Sequence, residues 1–302
     1  MRNADKFVVD VAAPPGRELY RFATVNDIHI GETEFGFPTR YAEADDVEPY
    51  PVRCLRAALA EAKEWGAERI LAKGDLTDHG WEEEFEMFAL LLAESGLPSN
   101  TILGNHDIRD DETDGVAVLR RRGLDVASTA TAIDVPGLRI VMLPSASEPH
   151  AGSWSASDTA ATIEFAADHG AAVFVATHHY PQRFNVANEF PPGIPVRQTT
   201  PLLDGLDRVA PRSLIACGHT HRHHRRHYKS LLITEIGSTK DFPGVWAGYV
   251  VYEGGITQTV HRVVEPSARE WTDRTGKTLL GGWRWWSPGL RSHRCWSWSW
   301  ES

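Results

Sequence analysis

Short apolar runs alternate along this chain with longer segments whose apolar residues recur at helical spacing, and each run ends on a small polar cluster. Leu19-Tyr20-Arg21-Phe22-Ala23-Thr24-Val25 reads as a core strand and runs into Asn26-Asp27-Ile28-His29. From Val52 to Trp65 the residues Leu55, Ala58, Leu59 and Ala62 share one helical face, and Gly66 is placed to end the helix. Arg69-Ile70-Leu71-Ala72 is a second strand, ending at Lys73-Gly74-Asp75. Trp81 to Ala93 is amphipathic and carries Glu82 and Glu83 in its first turn, where the helix dipole favours acids. Thr101-Ile102-Leu103 is a third strand and runs into Gly104-Asn105-His106-Asp107. Such a βαβαβ order predicts parallel pairing through right-handed crossovers.

The second half repeats the habit with different spacing. Val116 to Arg122 is a short helix, and Thr131 to Val135 and Leu138 to Leu143 form a strand pair turned at Pro136-Gly137. A helix over Asp158 to His169 precedes a buried strand, Ala171 to Thr177, that ends at His178-His179. A helix around Leu202 to Val209 precedes Ser213 to Cys217, which ends at Gly218-His219-Thr220-His221. Leu231 to Ile236 and the runs around Tyr249-Val250-Val251 and Thr257 to Val264 are expected to complete a second set of strands. Phe7-Val8-Val9 is a candidate edge strand, and residues 31–51 and 181–200 read as Pro-containing loops. Seven tryptophans from Trp271 to Trp300 set residues 266–302 apart as an extension whose indoles pack over a main domain of residues 1–265, with a docking surface for a partner as the alternative.

Composition narrows the function. A hydrophobic share of 42% and a charged share of 24% are ordinary for a globular chain of 302 residues. The net charge of −10 argues against binding a nucleic-acid duplex, which needs a basic face. An acidic protein with an anionic substrate needs local positive charge, which bound metal ions supply. Cys54, Cys217 and Cys295 are far apart, which is neither a disulfide framework nor a zinc ribbon. Without an unbroken apolar stretch near Met1 or a run long enough to span a membrane, the expected setting is cytoplasmic, with no membrane partner. Nothing in the sequence bears on oligomeric state.

The chemistry lies in five clusters: Asp27-x-His29, Gly74-Asp75, Gly104-Asn105-His106-Asp107, His178-His179 and Gly218-His219-x-His221. Each closes a predicted strand, and in open α/β sheets sites form at the carboxyl ends of strands. Any one of them is ordinary turn chemistry; the case is joint. Carboxylates, imidazoles and one amide suit two divalent or trivalent ions such as Mn, Fe or Zn. Asp75, the lone acid of its cluster, is the candidate bridge between two cations. A water shared by two such ions loses a proton near neutral pH and attacks phosphorus in line, and His106 is the candidate acid for the leaving oxygen.

In this order the clusters resemble those of the calcineurin-like metallophosphoesterase superfamily over roughly residues 20–260. The resemblance implies a four-layer β-sandwich flanked by helices, with a dinuclear metal site at the strand ends. It implies Asp27, His29, Asp75 and His221 on one metal, and Asp75, Asn105, His178 and His219 on the other. His106 then donates the proton and Asp107 steadies its imidazole. His178-His179-Tyr180-Pro181 offers two residues for one ligand; His178 is preferred and His179 is left to substrate. Arg109 is a candidate substrate clamp, with Arg183 and Arg197 beside it, and His150, His169 and His261 take no role. The run Arg222 to His227 reads as a solvated loop or strand edge. Asp78 stands where the purple acid phosphatase branch carries an iron-ligating tyrosine, which argues against that branch.

The motifs look most like the class III cyclic nucleotide phosphodiesterase group, which implies a small phosphodiester substrate such as 3′,5′-cyclic AMP, with specificity in loops 31–51 and 181–200. A phosphomonoesterase acting on nucleotides or phosphoproteins is the alternative. A non-catalytic interaction module on the same scaffold is the reading from another class.

Overall fold

Two mixed β-sheets lie face to face, and helices cover the outer face of each. The computed structural model describes residues 7, 9–44, 47–148, 151–169, 172–185 and 190–300; His150 and Val8 fall outside that set. The first sheet runs Trp296–Ser299, Gly255–Arg262, Val245–Tyr252, Glu18–Val25, Ile70–Lys73, Ser99–Ile102 and Asp125–Val126 from edge to edge. Its last four strands are parallel, as the βαβαβ order predicts. The second sheet runs His224–Tyr228, Leu231–Glu235, Leu214–Cys217, Val173–Ala176, Leu138–Met142 and Thr131–Val135, with antiparallel strands only at its two edges.

Central parallel strands are covered on both faces, so they read as unbroken buried runs. Val173–Ala176 and Ile70–Lys73 are buried at every position. Between the sheets, the Phe22 ring stacks on Tyr249 at 4.9 Å and meets the Phe174 ring edge-on at 5.0 Å. Helices Tyr50–Glu64 and Glu82–Ser95 cover the first sheet, and Ala156–His169 and Val196–Val209 cover the second. A lysine enters the interior at the strand ends. Lys73 donates from Nζ to the Cys217 carbonyl at 2.8 Å, tying one sheet to the other, and burial pulls its pKa down to about 8.

Three expectations change. The runs 245–252 and 255–262 join the first sheet beside Glu18–Val25, because Tyr249 pairs with Phe22 in register and stacks on it. Phe7 and Val9 lie outside any strand; Phe7 instead lies under the Arg294 guanidinium at 4.2 Å. Of the basic run, His224–Tyr228 is a sheet edge as expected, but Arg222 and His223 at its start are buried.

The tryptophan-rich segment is woven into these layers. Helix Pro266–Thr275 lays Trp271 on the Tyr50 ring at 3.8 Å and 18° from parallel, and its Nε1 donates to the Lys240 carbonyl at 2.9 Å. Trp296–Ser299 adds the outermost strand of the first sheet, and Trp296 is buried. Trp285, in contrast, is 88% exposed.

Candidate metal centre

The five clusters follow strands of both sheets and meet where the sheets open toward one end. Backbone bonds bind them to one another: Asp27 N–H donates to the Gly74 carbonyl at 3.1 Å, His29 N–H to the Asp75 carbonyl at 3.0 Å, and Gly218 N–H to the His178 carbonyl at 2.9 Å. Asp27, His29, Asp75, His219 and His221 all take positive φ, between 49° and 74°. That conformation is costly for residues with a Cβ and persists only where the surroundings impose it, as they do at sites under functional constraint. Glycine relieves crowding beside them. A Cβ on Gly74, itself at φ +80°, would stand 2.7 Å from the His178 ring, and one on Gly218 would stand 2.7 Å from an Asp27 oxygen.

Asp75 sits at the middle. Its Oδ2 lies 3.3 Å from His178 Nε2 and 3.6 Å from His29 Nε2, while its Oδ1 accepts the His106 N–H at 2.9 Å. Asp27 accepts the His219 N–H on both oxygens, at 3.0 and 3.1 Å, and lies 3.6 Å from His221 Nε2. Donor atoms of Asp27, His29 and His221 lie within 4.8 Å of one another, as do those of Asp27, Asp75 and His178, and those of His178, His179 and His219. Asn105, also buried, lines the same space.

These residues fit a pair of metal ions. The Nε2 atoms of His29 and His178 are buried with no hydrogen-bond partner, although buried polar atoms are almost always paired. The Lys73 carbonyl takes the Nδ1–H of His178 at 2.8 Å, which turns its Nε2 toward Asp75. Burial, with His178 alongside, lowers His219 to about 3, so it is neutral, the form that ligates. Burial opposes protonation of His178 too, but Asp75 and Asp27 outweigh it and lift its pKa to about 9. Two buried carboxylates here are short of positive charge.

Residues 20–223 match the Calcineurin-like phosphoesterase family. The chain belongs to that family. It is 28% identical over 178 residues to the glycerophosphodiester phosphodiesterase GpdQ of Enterobacter lignolyticus, a match covering 56% of this chain and 62% of that one. In fold it is similar to a purple acid phosphatase from yellow lupin, with a TM-score of 0.61 at 10% identity over 84% of this chain and 53% of the other. It is also similar to GAP50, described as the anchor in the inner membrane complex of Plasmodium, with a TM-score of 0.52 at 13% identity over 82% and 86% of the two chains. Among the described residues, no helix is long and apolar enough to cross a membrane.

Around these candidate ligands, the expected partner of His106 is corrected. Asp107 turns away from the imidazole: its carboxylate accepts the N–H groups of Gly104 at 2.7 Å, Thr77 at 2.8 Å and Leu76 at 3.2 Å, and the Thr77 hydroxyl at 2.7 Å. It fastens the Asp75 loop to the Asn105 loop, and burial, reinforced by Asp75, pushes its pKa up to about 6. The imidazole is held by Asp78, whose Oδ1 lies 2.9 Å from His106 Nδ1 and 3.1 Å from His29 Nδ1. Burial opposes the Asp78 charge, but hydrogen bonds from His106 and His29 hold its carboxyl well below the usual carboxylate range. His29, Asp78 and His106 form a further cluster of donor atoms within 4.8 Å.

Arg109 reaches the far side of the same ring. Its guanidinium donates to His106 Nε2 at 2.8 Å and to the Asp78 carbonyl at 3.0 Å. His179 faces Ser145, whose Oγ lies 2.9 Å from its Nδ1, while its Nε2 is buried beside His219 without a hydrogen-bond partner. Both histidines of the pair thus border the site, and His178 alone of the two meets Asp75.

One carboxylate had gone unnoticed. Asp241, fully buried, sits 3.2 Å from His221 Nδ1 and fixes that ring as Asp78 fixes His29. The signal was present, since Ser238-Thr239-Lys240-Asp241 follows the apolar run 231–236 as the other clusters follow theirs. A cleft of about 770 Å³ opens over the centre. Phe35, Gly36 and Phe37 line it from one predicted specificity loop, and Phe190, Pro191 and Pro192 from the other. Thr278, Leu279 and Trp283 of the C-terminal segment form a third wall.

Proposed function

We propose that this chain hydrolyses a phosphodiester, with Asp27, His29, Asp75 and His221 holding one metal ion and Asp75, Asn105, His178 and His219 the other. Bound there, two such ions supply Lewis acidity toward phosphoryl oxygens and an ionised water at neutral pH. The chain's own residues do the rest. Asp78 and Asp241 hold His29 and His221 by Nδ1, so that each presents Nε2 to the centre. Arg109 lies within reach of a phosphoryl group in the cleft, and a phosphate that takes this guanidinium frees His106 Nε2. His106 then carries a proton on Nε2, with Asp78 stabilising the imidazolium through Nδ1, and delivers it to the leaving oxygen.

The cleft carries the choice of a diester. A monoester dianion asks for several fixed cations, whereas among the described residues lining this cleft Arg109 is the only Lys or Arg. A diester has one negative charge and two organic arms, which suits apolar walls on more than one side. The likeness to a glycerophosphodiester phosphodiesterase supports the same choice.

The test is turnover of bis(p-nitrophenyl) phosphate, p-nitrophenyl phosphate and cyclic AMP by protein loaded with Mn. Diester hydrolysis that chelation abolishes is expected. Turnover of the monoester alone would move the assignment to a phosphomonoesterase, and no metal-dependent turnover would leave the enzyme reading without support.

A further inference from the structure

The third wall of the cleft comes from residues beyond the matched segment 20–223. Hydrogen bonds fasten it to the first loop: Leu279 N–H donates to the Phe37 carbonyl at 2.7 Å, and Phe37 N–H to Thr278 Oγ1 at 3.3 Å. Leu279 itself is held at φ +53°, an unusual conformation for leucine, and this turn sets it at the cleft edge. Trp283 stands beside the centre. Its ring centre lies 6.3 Å from Phe35 and 6.5 Å from His221, and its Nε1 donates to Asp241 at 3.2 Å. Large apolar groups around the mouth remain open to water: Leu279 is 45% exposed, Phe37 70% and Phe190 85%. Apolar side chains grouped around one opening mark a contact surface for a ligand.

We infer that Phe35, Phe37, Leu279, Trp283 and Phe190 form a subsite for an apolar, ring-bearing ester arm of the substrate. The inference rests on the diester hydrolysis proposed above. The His29 ring stands 4.2 Å from His106 and 5.2 Å from His221, and it is the His221 ring that Trp283 adjoins, so the proton donor and the Trp283 wall meet the site at different imidazoles. The leaving arm faces His106, and the arm that stays on phosphorus lies against Trp283 and Leu279. Aromatic faces take a flat ring by stacking and take a methyl group with far less area removed from water.

Two diesters with one leaving group test this: phenyl p-nitrophenyl phosphate and methyl p-nitrophenyl phosphate, each kcat/KM divided by the ester's own rate in alkali. The protein is expected to favour the phenyl ester by roughly tenfold, the effect of burying a few ring carbons in a half-open cleft. Leu279→Ala and Trp283→Ala are each expected to lower that preference by about threefold or more. The ratio is internal to each preparation, so a poorly folded fraction does not alter it. If Trp283→Ala gives no usable protein, Leu279→Ala and Phe190→Ala read the same quantity. Equal use of both esters, or a preference that none of the variants moves, overturns the subsite while diester hydrolysis stands. No turnover of either ester removes the underlying reading, and the subsite with it.

Discussion

Asp78→Asn is the substitution that separates the observed arrangement from the one expected along the sequence. The carboxylate faces two imidazole nitrogens, His106 Nδ1 at 2.9 Å and His29 Nδ1 at 3.1 Å, and only 16% of its side chain is exposed. The amide keeps the shape and loses the charge that favours an imidazolium at His106. A hydrogen bond to a charged group contributes about 1.5–3 kcal/mol, so the proton-transfer step should slow by roughly 10- to 150-fold. The change also loosens His29, and removing such a ligand-orienting partner weakens metal binding by about 10- to 100-fold. Rates must therefore be compared at saturating Mn. The decisive assay varies the leaving group. A p-nitrophenolate departs with little need of a proton, whereas an alkoxide, as in a glycerol-type diester, needs one. Asp78→Asn should therefore cost little on the aryl ester and the full factor on the alkyl ester. Asp107→Asn should show no such dependence, because its carboxylate is engaged by Gly104, Leu76 and Thr77. Equal losses on both esters for Asp78→Asn, or a leaving-group effect confined to Asp107→Asn, would refute the proton route through His106.

Other consequences are open to measurement. Mn added to chelated protein should raise the unfolding midpoint by several degrees, since a ligand at 100 times its Kd adds about 2.7 kcal/mol. Asn105→Ala should shrink that rise and lower the metal content, whereas His106→Ala should keep both and lose alkyl-ester turnover. Trp271→Ala removes the stack on Tyr50 and leaves the Lys240 carbonyl with only the weak Cys54 thiol as donor, a loss of about 4 kcal/mol in urea unfolding. A loss below about 1 kcal/mol would show that the C-terminal helix is a loose appendage. His261, against Trp246 at 4.0 Å, is lowered by burial from 6.5 to about 4. The unfolded chain thus binds the extra proton between those pH values, so this residue costs nothing above 6.5 and destabilises progressively as pH falls toward 4. The loss between pH 7 and 4.5 should be about 2 kcal/mol, and His261→Phe should remove it, as unfolding at the two pH values would show.

Strand ends were legible because a buried run must stop where backbone and side chains turn polar, and the Asp27, Asp75, Asn105, His178 and His219 clusters stop their runs in that way. Direction within a cluster was not. His106 to Ile108 form a single helical turn, which sends consecutive side chains to different sides, so Asp107 points back into the Asp75 loop while His106 faces Asp78. Nearness in sequence had suggested the wrong carboxylate. Sheet membership was hidden for a related reason. Alternation shows that 245–252 is a strand, but only the contact of Tyr249 with Phe22 says which sheet it joins. The tryptophans illustrate the limit most clearly. Trp271, Trp283 and Trp285 lie close together in sequence, yet one is in the core, one lines the cleft and one is in water.

The site's width is therefore set by the packing of the sandwich. Asp27, His29, Asp75 and Asn105 come from the first sheet, and His178, His219 and His221 from the second. Neither sheet alone holds a full set of the proposed ligands for either ion. Lys73 ties the sheets within a few residues of the ligands, and Phe22, Phe174 and Tyr249 fix their spacing behind it. Close packing resists small displacements, so the five site residues at positive φ are held by a core that cannot shift without opening voids. Trp283 extends the same rigidity outward, because its bond to Asp241 links the substrate wall to the ring of His221. A change in the C-terminal segment can thus reach the centre through one carboxylate, without touching a ligand.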